Sequence, residues 1–248
     1  MDKLVYTAAT GLRARMAAQA AIANNMANAS TTGFRADRVV FDQVLLKGGG
    51  TQLEARAPAG EEVTDADRTP GAIGQTGRPL DVALVGRDAW LTVQAADGSE
   101  AYTRRGDLEV APSGVLQTGD GFIVQGQSGP ITLPPYKSLT IAADGQVSVV
   151  PSAGGEPQVV DRLKLVSAKG SDTAKGLDNL LRVRGGGTLP ADEDATVQSG
   201  ALEGSNVDMT QALVDMIENQ RSYEMTAGLM KSAKDMDESG ASLMRLPS

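Results

Sequence analysis

The chain has 248 residues, a formal net charge of −8 at pH 7, and neither cysteine nor histidine. Its size suits one or two domains, and its dispersed basic residues argue against a nucleic-acid face, which needs clustered Lys and Arg. The missing residue types remove disulfides, thiolate nucleophiles, Cys-ligated zinc and the usual general base near neutral pH. We therefore expect no catalytic residue, no cofactor and no metal site.

Residues 3–28 are predicted to form a helix with one nearly apolar stripe, in which Gln19 is the one polar member. Spacings that average about 3.5 residues keep a stripe on one face over several turns, as coiled-coil-like packing requires. A surface helix of an ordinary domain can show the same pattern. The stripe consists of Val5, Ala9, Leu12, Met16, Gln19, Ala23 and Met26.

Three asparagines, Asn24, Asn25 and Asn28, lie at the predicted end of this helix. The helix should end near Asn28, because the Ser, Thr and Gly residues at 30–33 continue a helix poorly. The amides can cap the helix end or set its register against a neighbouring helix, and the spacing alone favours neither.

A connector arm is predicted over residues 34–70. Residues 34–47 fit a helical extension or an extended arm, and the pattern does not decide between the two. Residues 48–68 are polar and have little apolar content, so they suit a flexible connector or a loose hairpin.

Short β-rich runs follow from residue 69 onward, which indicates an antiparallel all-β domain. Three Asp-Gly pairs, at 97–98, 120–121 and 144–145, lie between runs where tight hairpin turns are expected. Arg104 and Arg105 form the one adjacent basic pair, for which a solvated or cross-strand ion-paired role is expected. Residues 177–204 should add one or two strands. The predicted runs are Leu80–Val85, Trp90–Gln94, Glu100–Arg104, Val115–Thr118, Phe122–Gln125, Leu139–Ile141, Gln146–Val150 and Val159–Val166.

The last predicted element is a long helix over residues 208–245, capped by Asn206 or Asp208, with Gln211 in the position of a capping box. Gln220 interrupts its stripe as Gln19 interrupts the first. At about 1.5 Å per residue this helix outruns the first, so its surplus turns keep a stripe that another molecule must cover. The stripe consists of Met209, Leu213, Met216, Gln220, Tyr223, Ala227 and Met230, and then shifts phase by one residue to Ala233, Met236 and Leu243.

These elements predict a multi-part α+β fold. A discontinuous, coiled-coil-like helical domain is built from residues 1–33 and 205–248, the connector arm covers 34–70, and a mainly antiparallel all-β domain covers 71–204. No run offers the ~18 apolar residues of a membrane span, and residues 1–28 lack the pattern of a cleaved secretory signal. If the protein is exported, we expect another route.

Four segments resemble the signatures of bacterial flagellar rod and hook proteins. Residues 23–34 resemble the N-terminal signature and residues 200–224 the C-terminal one, while residues 76–83 and 101–108 resemble the start of the family's β-domain. The segments occur in the family's order and span most of the chain.

The resemblance implies a structural, non-enzymatic subunit of the flagellar basal-body rod in the periplasm. Its implied partners are other rod proteins, further copies of itself in a helical tube, and the flagellar type III export apparatus. Met1-Asp2-Lys3 and residues 202–206 are more similar to the proximal-rod member than to the distal-rod member, whereas Thr32 is closer to the distal form. A distal-rod or hook-type paralogue is the alternative.

The stripes and signatures together predict the residues that contact neighbouring subunits. The first helix and its end contribute Val5, Leu12, Met16, Gln19, Asn24, Asn25, Met26, Asn28, Gly33 and Phe34. The last helix and its start contribute Asn206, Val207, Leu213, Met216, Ile217, Gln220, Arg221, Tyr223, Glu224 and Met230.

Two other functional classes compete with this interpretation. An acidic enzyme of the cell wall would use a pair of carboxylates from among Asp65, Asp67, Asp107 and Asp120, but glycosidases need two carboxyls across a cleft and nothing singles out such a pair. A monomeric binding module leaves both apolar stripes unexplained.

Overall fold

The computed structural model of the chain describes residues 2–46 and 55–243. Within them, helix α1 (Asp2–Ala27) and helix α2 (Met209–Leu243) enclose a series of strands in the sequence. The strands are β1 (Asp37–Leu46), β2 (Ala55–Ala66), β3 (Ile73–Gln75), β4 (Val82–Leu84), β5 (Ala89–Gln94), β6 (Glu100–Thr103), β7 (Leu108–Val110), β8 (Leu116–Thr118), β9 (Ile123–Val124), β10 (Tyr136–Ile141), β11 (Gln146–Pro151), β12 (Gln158–Arg162), β13 (Leu165–Ser167), β14 (Thr173–Lys175), β15 (Leu181–Val183), β16 (Val197–Ser199) and β17 (Ala201–Glu203). The predicted α+β class is confirmed.

Both helices end or begin where the sequence predicts. α1 ends at Ala27, and the backbone N–H of Thr31 then donates to the carbonyl of Asn28. At the start of α2, the carboxylate of Asp208 accepts hydrogen bonds from the N–H groups of Thr210 and Gln211, at 2.8 and 3.1 Å. Asp208 is therefore the N-cap. The side chain of Gln211 bonds forward to Asp215.

The chain divides into two compact units. Over the described residues, the helical unit comprises 2–27, 37–46, 55–64 and 208–243, and the β unit comprises 28–36 and 65–207. In the helical unit, strands β1 and β2 pair as a two-stranded sheet, so residues 37–46 are an extended arm and not a continuation of the helix. The connector around residues 47–54 lies outside the described residues.

In the helical unit the two helices run antiparallel. Asn219 of α2 bonds to Arg15 and Gln19, whereas Thr226, two turns later, lies opposite Gly11. At 1.5 Å per residue α1 is about 39 Å long and α2 about 52 Å, so α2 is longer by about two and a half turns. Over its described residues, neither helix is long and apolar enough to cross a membrane.

The β unit is built on a large sheet with the strand order β14-β15-β6-β5-β9-β8-β7, and β13 also pairs with β5. Strands β10, β11 and β12 form a second sheet, and β3 and β4 pair with β17 and β16 respectively. The pairs whose register the structure gives are all antiparallel. Gly98, Gly121 and Gly145 have positive φ between strands, which confirms the three predicted Asp-Gly turns.

The β unit differs from the prediction in three places. The predicted strand Val159–Val166 is two strands, β12 and β13. β12 pairs with β11 and β13 pairs with β5, and the pairing partner changes at Leu163 and Lys164. Residues 177–204 supply three strands and not one or two. The prediction also missed β3, β7 and β14, each of only three residues, because so short a run has almost no periodicity to detect.

The cap at Asp208 yields a stability prediction. Asp208→Ala should lower the free energy of unfolding of the helices by about 0.5–2 kcal/mol, because two N–H groups of the first turn of α2 lose their acceptor. Asp215→Ala is the matched control, since Asp215 accepts only a side-chain bond on the helix surface, and it should change stability by less than about 0.5 kcal/mol. Urea titration followed by circular dichroism at 222 nm measures both. Equal effects of the two variants would contradict the capping role.

Candidate assembly site

The contact between α1 and α2 is made by small side chains. Ala212 and Ala233 of α2 are buried. A methyl group built on Gly11 would lie 4.0 Å from the Cγ2 atom of Thr226. Because Gly and Ala place little bulk between the helices, the backbones can approach closely.

One polar group lies in the middle of this contact. The Nδ2 atom of Asn219, whose side chain is buried, donates to Oε1 of Gln19 at 2.8 Å and to the carbonyl of Arg15 at 2.9 Å. Gln220 is exposed and donates to Glu224 on its own helix. Gln19 is therefore engaged within the chain, and its partner is Asn219, which the sequence reasoning did not select.

The predicted stripes and the buried helix faces are not the same surfaces. Residues of α2 that are buried or half-buried recur at 212, 216, 219, 222, 226, 227, 230 and 233, a face that overlaps the predicted stripe only in part. The predicted stripe included alanines, but it did not include Ala212 and Asn219, which are buried. Met216, Ala227 and Met230 of the predicted stripe are half-buried and Ala233 is buried, so the two surfaces overlap at these positions.

Most predicted interface residues of α2 are therefore open in the isolated chain. Leu213 and Ile217 have relative exposures of 46% and 54%, and Arg221, Tyr223 and Glu224 are exposed. On α1, Met16 is 60% exposed, while Leu12 and Met26 are half-buried. Val5 lies outside the residues whose side chains the structure describes.

A further apolar row on α2 contains Met225 and Leu229, which the sequence analysis did not select, and Met236, which lies at the shifted end of the predicted stripe. Met225, Leu229 and Met236 are 63–70% exposed. Their spacings of four and seven residues place them on one side of the helix, away from Leu213 and Ile217. A search for this second stripe at the same 3.5-residue spacing would have found it. A helix that is apolar on several sides is normally enclosed by neighbours.

The three asparagines at the end of α1 hold local structure. Asn25 exchanges two hydrogen bonds with the backbone of Asp37 at the start of β1, at 3.1 and 2.7 Å, and Asn24 donates to the carboxylate of Asp37. Asn28 accepts a bond from the hydroxyl of Thr31. Asn24 and Asn25 thus fasten the arm to the helix, while Asn28 orders the turn that follows it.

A buried ionic cluster lies in the β unit, where the sequence signatures meet. Glu203 forms ion pairs with Arg35 at 2.6 Å and with Arg104 at 2.5 Å, and all three side chains are at most 2% exposed. The carboxylate also accepts the N–H of Gly71, and the backbone carbonyl of Glu203 accepts the N–H of Gly33. One glutamate therefore joins four segments that are distant in sequence.

Hydrogen bonds to the backbone, as well as the ion pair, hold Arg104 in this cluster. Arg104 donates to the carbonyls of Leu84, Gly86 and Ala89. Burial lowers the pKa of Arg104 and of Arg35, and the negative charge of Glu203 opposes this effect. Both arginines are ion-paired, as expected, but not across neighbouring strands: they follow the end of β6, and Arg105 pairs with Asp107 and Asp120.

Gly33 and Phe34 are fixed beside the cluster. Gly33 has a φ of +68°, and a Cβ atom there would lie 2.4 Å from the carbonyl carbon of Arg104, so only glycine fits. Phe34 is buried, and the ammonium of Lys175 lies 3.7 Å from the centroid of its ring. This distance is within the range of a cation–π contact.

Asn206 joins the incoming and outgoing chain segments of the β unit. Its Oδ1 accepts the N–H of Ala36 at 2.7 Å, and its Nδ2 donates to the carbonyls of Asp67 and Thr69 at 3.0 and 2.9 Å. Its own N–H donates to the carbonyl of Phe34. These hydrogen bonds, which we call the Asn206 clamp, join the backbone next to the start of β1 and the end of β2. The N-cap of α2 is Asp208 and not Asn206. Val207 follows it, half-buried.

The carboxylates considered for an enzyme are engaged in local contacts. Asp107 and Asp120 share the guanidinium of Arg105, and Asp67 accepts bonds from the backbone and hydroxyl of Thr69. The side chain of Asp65 is outside the described residues. Across the part of the chain that the structure describes, no group of three potential metal ligands comes together.

Comparison with known proteins identifies what this arrangement resembles. Family models described as "Flagella basal body rod protein", "Flagellar hook protein FlgE/F/G D1 domain" and "Flagellar basal body rod FlgEFG protein C-terminal" match residues 5–35, 84–149 and 198–243. The chain is 43% identical to flagellar basal-body rod protein FlgF of Salmonella typhimurium, over 96% of this chain and 95% of the relative.

Two further relatives separate the paralogues. The chain is 42% identical to FlgF of Escherichia coli over 95% of each chain, and 32% identical to flagellar basal-body rod protein FlgG of Agrobacterium fabrum over 92% of this chain and 94% of that one. The chain is thus more similar to these FlgF proteins than to this FlgG protein.

The buried glutamate yields the first prediction from this site. Glu203→Gln should lower the free energy of unfolding by about 3–5 kcal/mol, because it leaves two arginines buried without a counter-charge. Urea unfolding can be followed by fluorescence of Trp90, the one tryptophan, whose ring centroid lies 6.0 Å from the Arg104 guanidinium. Glu156→Gln, at an exposed position, is the matched control and should be neutral. A loss below 1 kcal/mol for Glu203→Gln would mean that the cluster does not support the fold.

The polar contact between the helices yields the second prediction from this site. Asn219→Ala should lower the free energy of unfolding of the helix pair by about 1–2 kcal/mol, because Gln19 and the Arg15 carbonyl lose a buried donor. Gln220→Ala serves as the control, since it removes only an exposed contact within α2. Circular dichroism at 222 nm during urea titration compares the two. If Gln220→Ala cost as much as Asn219→Ala, the assignment of the buried partner would be wrong.

Proposed function

The chain belongs to the flagellar basal-body rod protein family and is a structural subunit of that rod, and from this we propose that it occupies the proximal segment of the rod. There it forms part of the periplasmic drive shaft, which transmits torque and encloses the path of exported axial proteins. The likeness to FlgF proteins supports the proximal assignment.

The apolar residues left open on α2 are the observation that carries this proposal. Leu213, Ile217, Met225, Leu229 and Met236 are 46–70% exposed, although α1 already covers another face of the helix. Exposed apolar surface of this extent marks an interaction site. A head-to-tail contact that does not close generates a helical assembly, which is the form that a rod requires.

Torque requires subunits that resist shear. The Glu203 cluster and the Asn206 clamp supply rigidity in the β unit, because each joins chain segments through buried or short hydrogen bonds. A buried network of ion pairs and hydrogen bonds favours one arrangement of the groups it joins. We assign to this network the task of keeping the β unit undeformed under load.

The working division that we propose follows the sequence signatures. Residues 1–33 and 205–248 act as the rod-core domain, residues 34–70 as a connector arm, and residues 71–204 as the outer domain. Within the core domain, the predicted contact residues of α1 and α2 face other rod subunits. The subunit has a mechanical role and no catalytic one, and it is delivered unfolded by the flagellar type III export apparatus.

Association of the purified chain tests the proposal. The full chain should associate as its concentration rises, and more strongly when other rod proteins are added. A chain that lacks residues 1–27 and 208–248 should remain a monomer, because it has lost both open helix faces. Sedimentation velocity over a concentration series measures both chains.

The matched control keeps the helices and alters the β unit. Replacing the exposed Lys169 and Arg87 by Ala should leave association unchanged. If the truncated chain associated as strongly as the full chain, the terminal helices would not be the assembly surface. Absence of the protein from purified basal bodies would contradict the location in the rod.

A further inference from the structure

A small cavity lies inside the β unit, next to the Glu203 cluster. Its volume is about 10 Å³, which is room for one water-sized occupant. No acidic side chain is among the described residues that line it. The lining residues all belong to the β unit, and they include Ala66, Leu181, Arg35, Trp90, Lys175 and Asn179.

Two N–H donors of the lining residues have no hydrogen-bond partner among the described residues. They are the Nε atom of Arg35 and the Nε1 atom of Trp90, and neither atom is accessible to solvent. The two residues are only 2% and 3% exposed. Buried donors are costly to leave unpaired, and in native proteins they are normally paired with protein, water or an ion. Neither donor can accept a hydrogen bond, so an occupant that pairs with both must supply the acceptors.

The buried charge next to the cavity is positive. Arg35 and Arg104 share the one carboxylate of Glu203, and these two positive charges and one negative charge leave a net charge of +1. The ammonium of Lys175, which also lines the cavity, donates to the carbonyl of Arg35 at 2.8 Å. Two half-buried carboxylates act on the arginines more weakly than Glu203 does, and they belong to Asp67 and Asp88.

We propose that this cavity, which we call the Arg35–Trp90 cavity, binds a single monatomic anion such as chloride. The anion accepts hydrogen bonds from both donors and balances the excess positive charge of the cluster. Water can accept the same two bonds, but its own two protons then need acceptors, and no carboxylate lines the cavity. The inference goes beyond the proposed function, because it gives the β unit an inorganic ligand.

The anion would connect two parts of the β unit. Arg35 lies just before β1, whereas Trp90 lies on β5 in the large sheet. A ligand shared by both side chains therefore ties the segment at residues 28–36 to that sheet. Because a ligand that binds only the folded chain stabilises it, the stability of the β unit should rise with the chloride concentration.

The indole N–H of Trp90 provides a direct test, because the chain contains one tryptophan. A full-length chain labelled with nitrogen-15 shows one indole resonance in a two-dimensional proton–nitrogen spectrum. Sodium chloride should shift this resonance along a saturable curve, because the donor gains a charged acceptor. Sodium gluconate at the same concentrations is the control for ionic strength and should cause no such shift, since gluconate is too large for the cavity. The protein is kept below the concentrations at which it associates.

A pair of variants locates the binding site. Trp90→Phe should weaken chloride binding by about tenfold, because it removes one donor to a charged acceptor. Tyr102→Phe is the matched control, since it also removes a polar atom from an aromatic side chain of the same buried cluster, but Tyr102 does not line the cavity. It should keep the chloride affinity of the unaltered chain. The midpoint of urea unfolding, followed by circular dichroism at 218 nm over a chloride series, gives each affinity.

Two results would overturn the inference. The first is an indole resonance that responds to chloride and gluconate alike, which would leave water as the occupant. The second is a chloride dependence that Trp90→Phe retains in full, which would place the effect elsewhere. If Trp90→Phe does not fold, the titration of the unaltered chain still decides. Neither result bears on the proposed function, which fails if association survives removal of both helices.

Discussion

Helix α2 has more apolar surface than α1 can cover, and this imbalance governs the rest of the molecule. The α1 contact uses Ala212, Asn219 and Ala233, which leaves Leu213 and Ile217 exposed on one side. Met225, Leu229 and Met236 are exposed on another side. In an isolated subunit these apolar side chains stay exposed to water. In an assembly, neighbouring subunits can bury the helix on every face.

In the β unit, a different set of contacts holds together chain segments that are distant in sequence. Glu203 neutralises two buried arginines, and its backbone carbonyl receives the N–H of Gly33, where only glycine fits. Asn206 then binds the backbone at Ala36, Asp67 and Thr69. Buried charges of this kind add little net stability, but removing one partner is costly, so the cluster enforces a single arrangement.

Sequence reasoning found what depends on local pattern. The helix ends, the Asp208 cap and the three Asp-Gly turns follow from propensities that act over a few residues. The cluster of Arg35, Arg104 and Glu203 was missed, because its members are up to 168 residues apart and their meeting depends on the tertiary fold. The helix contact was misjudged by one residue, at Asn219 and not Gln220, since hydrophobic periodicity does not indicate which of two adjacent polar residues is buried.

Methionine oxidation measures most directly whether the open faces of the helices become covered. Met16, Met225 and Met236 are 60–70% exposed in the single chain, whereas Met216 and Met230 are half-buried. Treatment with dilute peroxide and quantification by mass spectrometry should show rapid oxidation of the first three in the purified chain and strong protection in intact basal bodies. Equal oxidation of these methionines in both preparations would contradict the account.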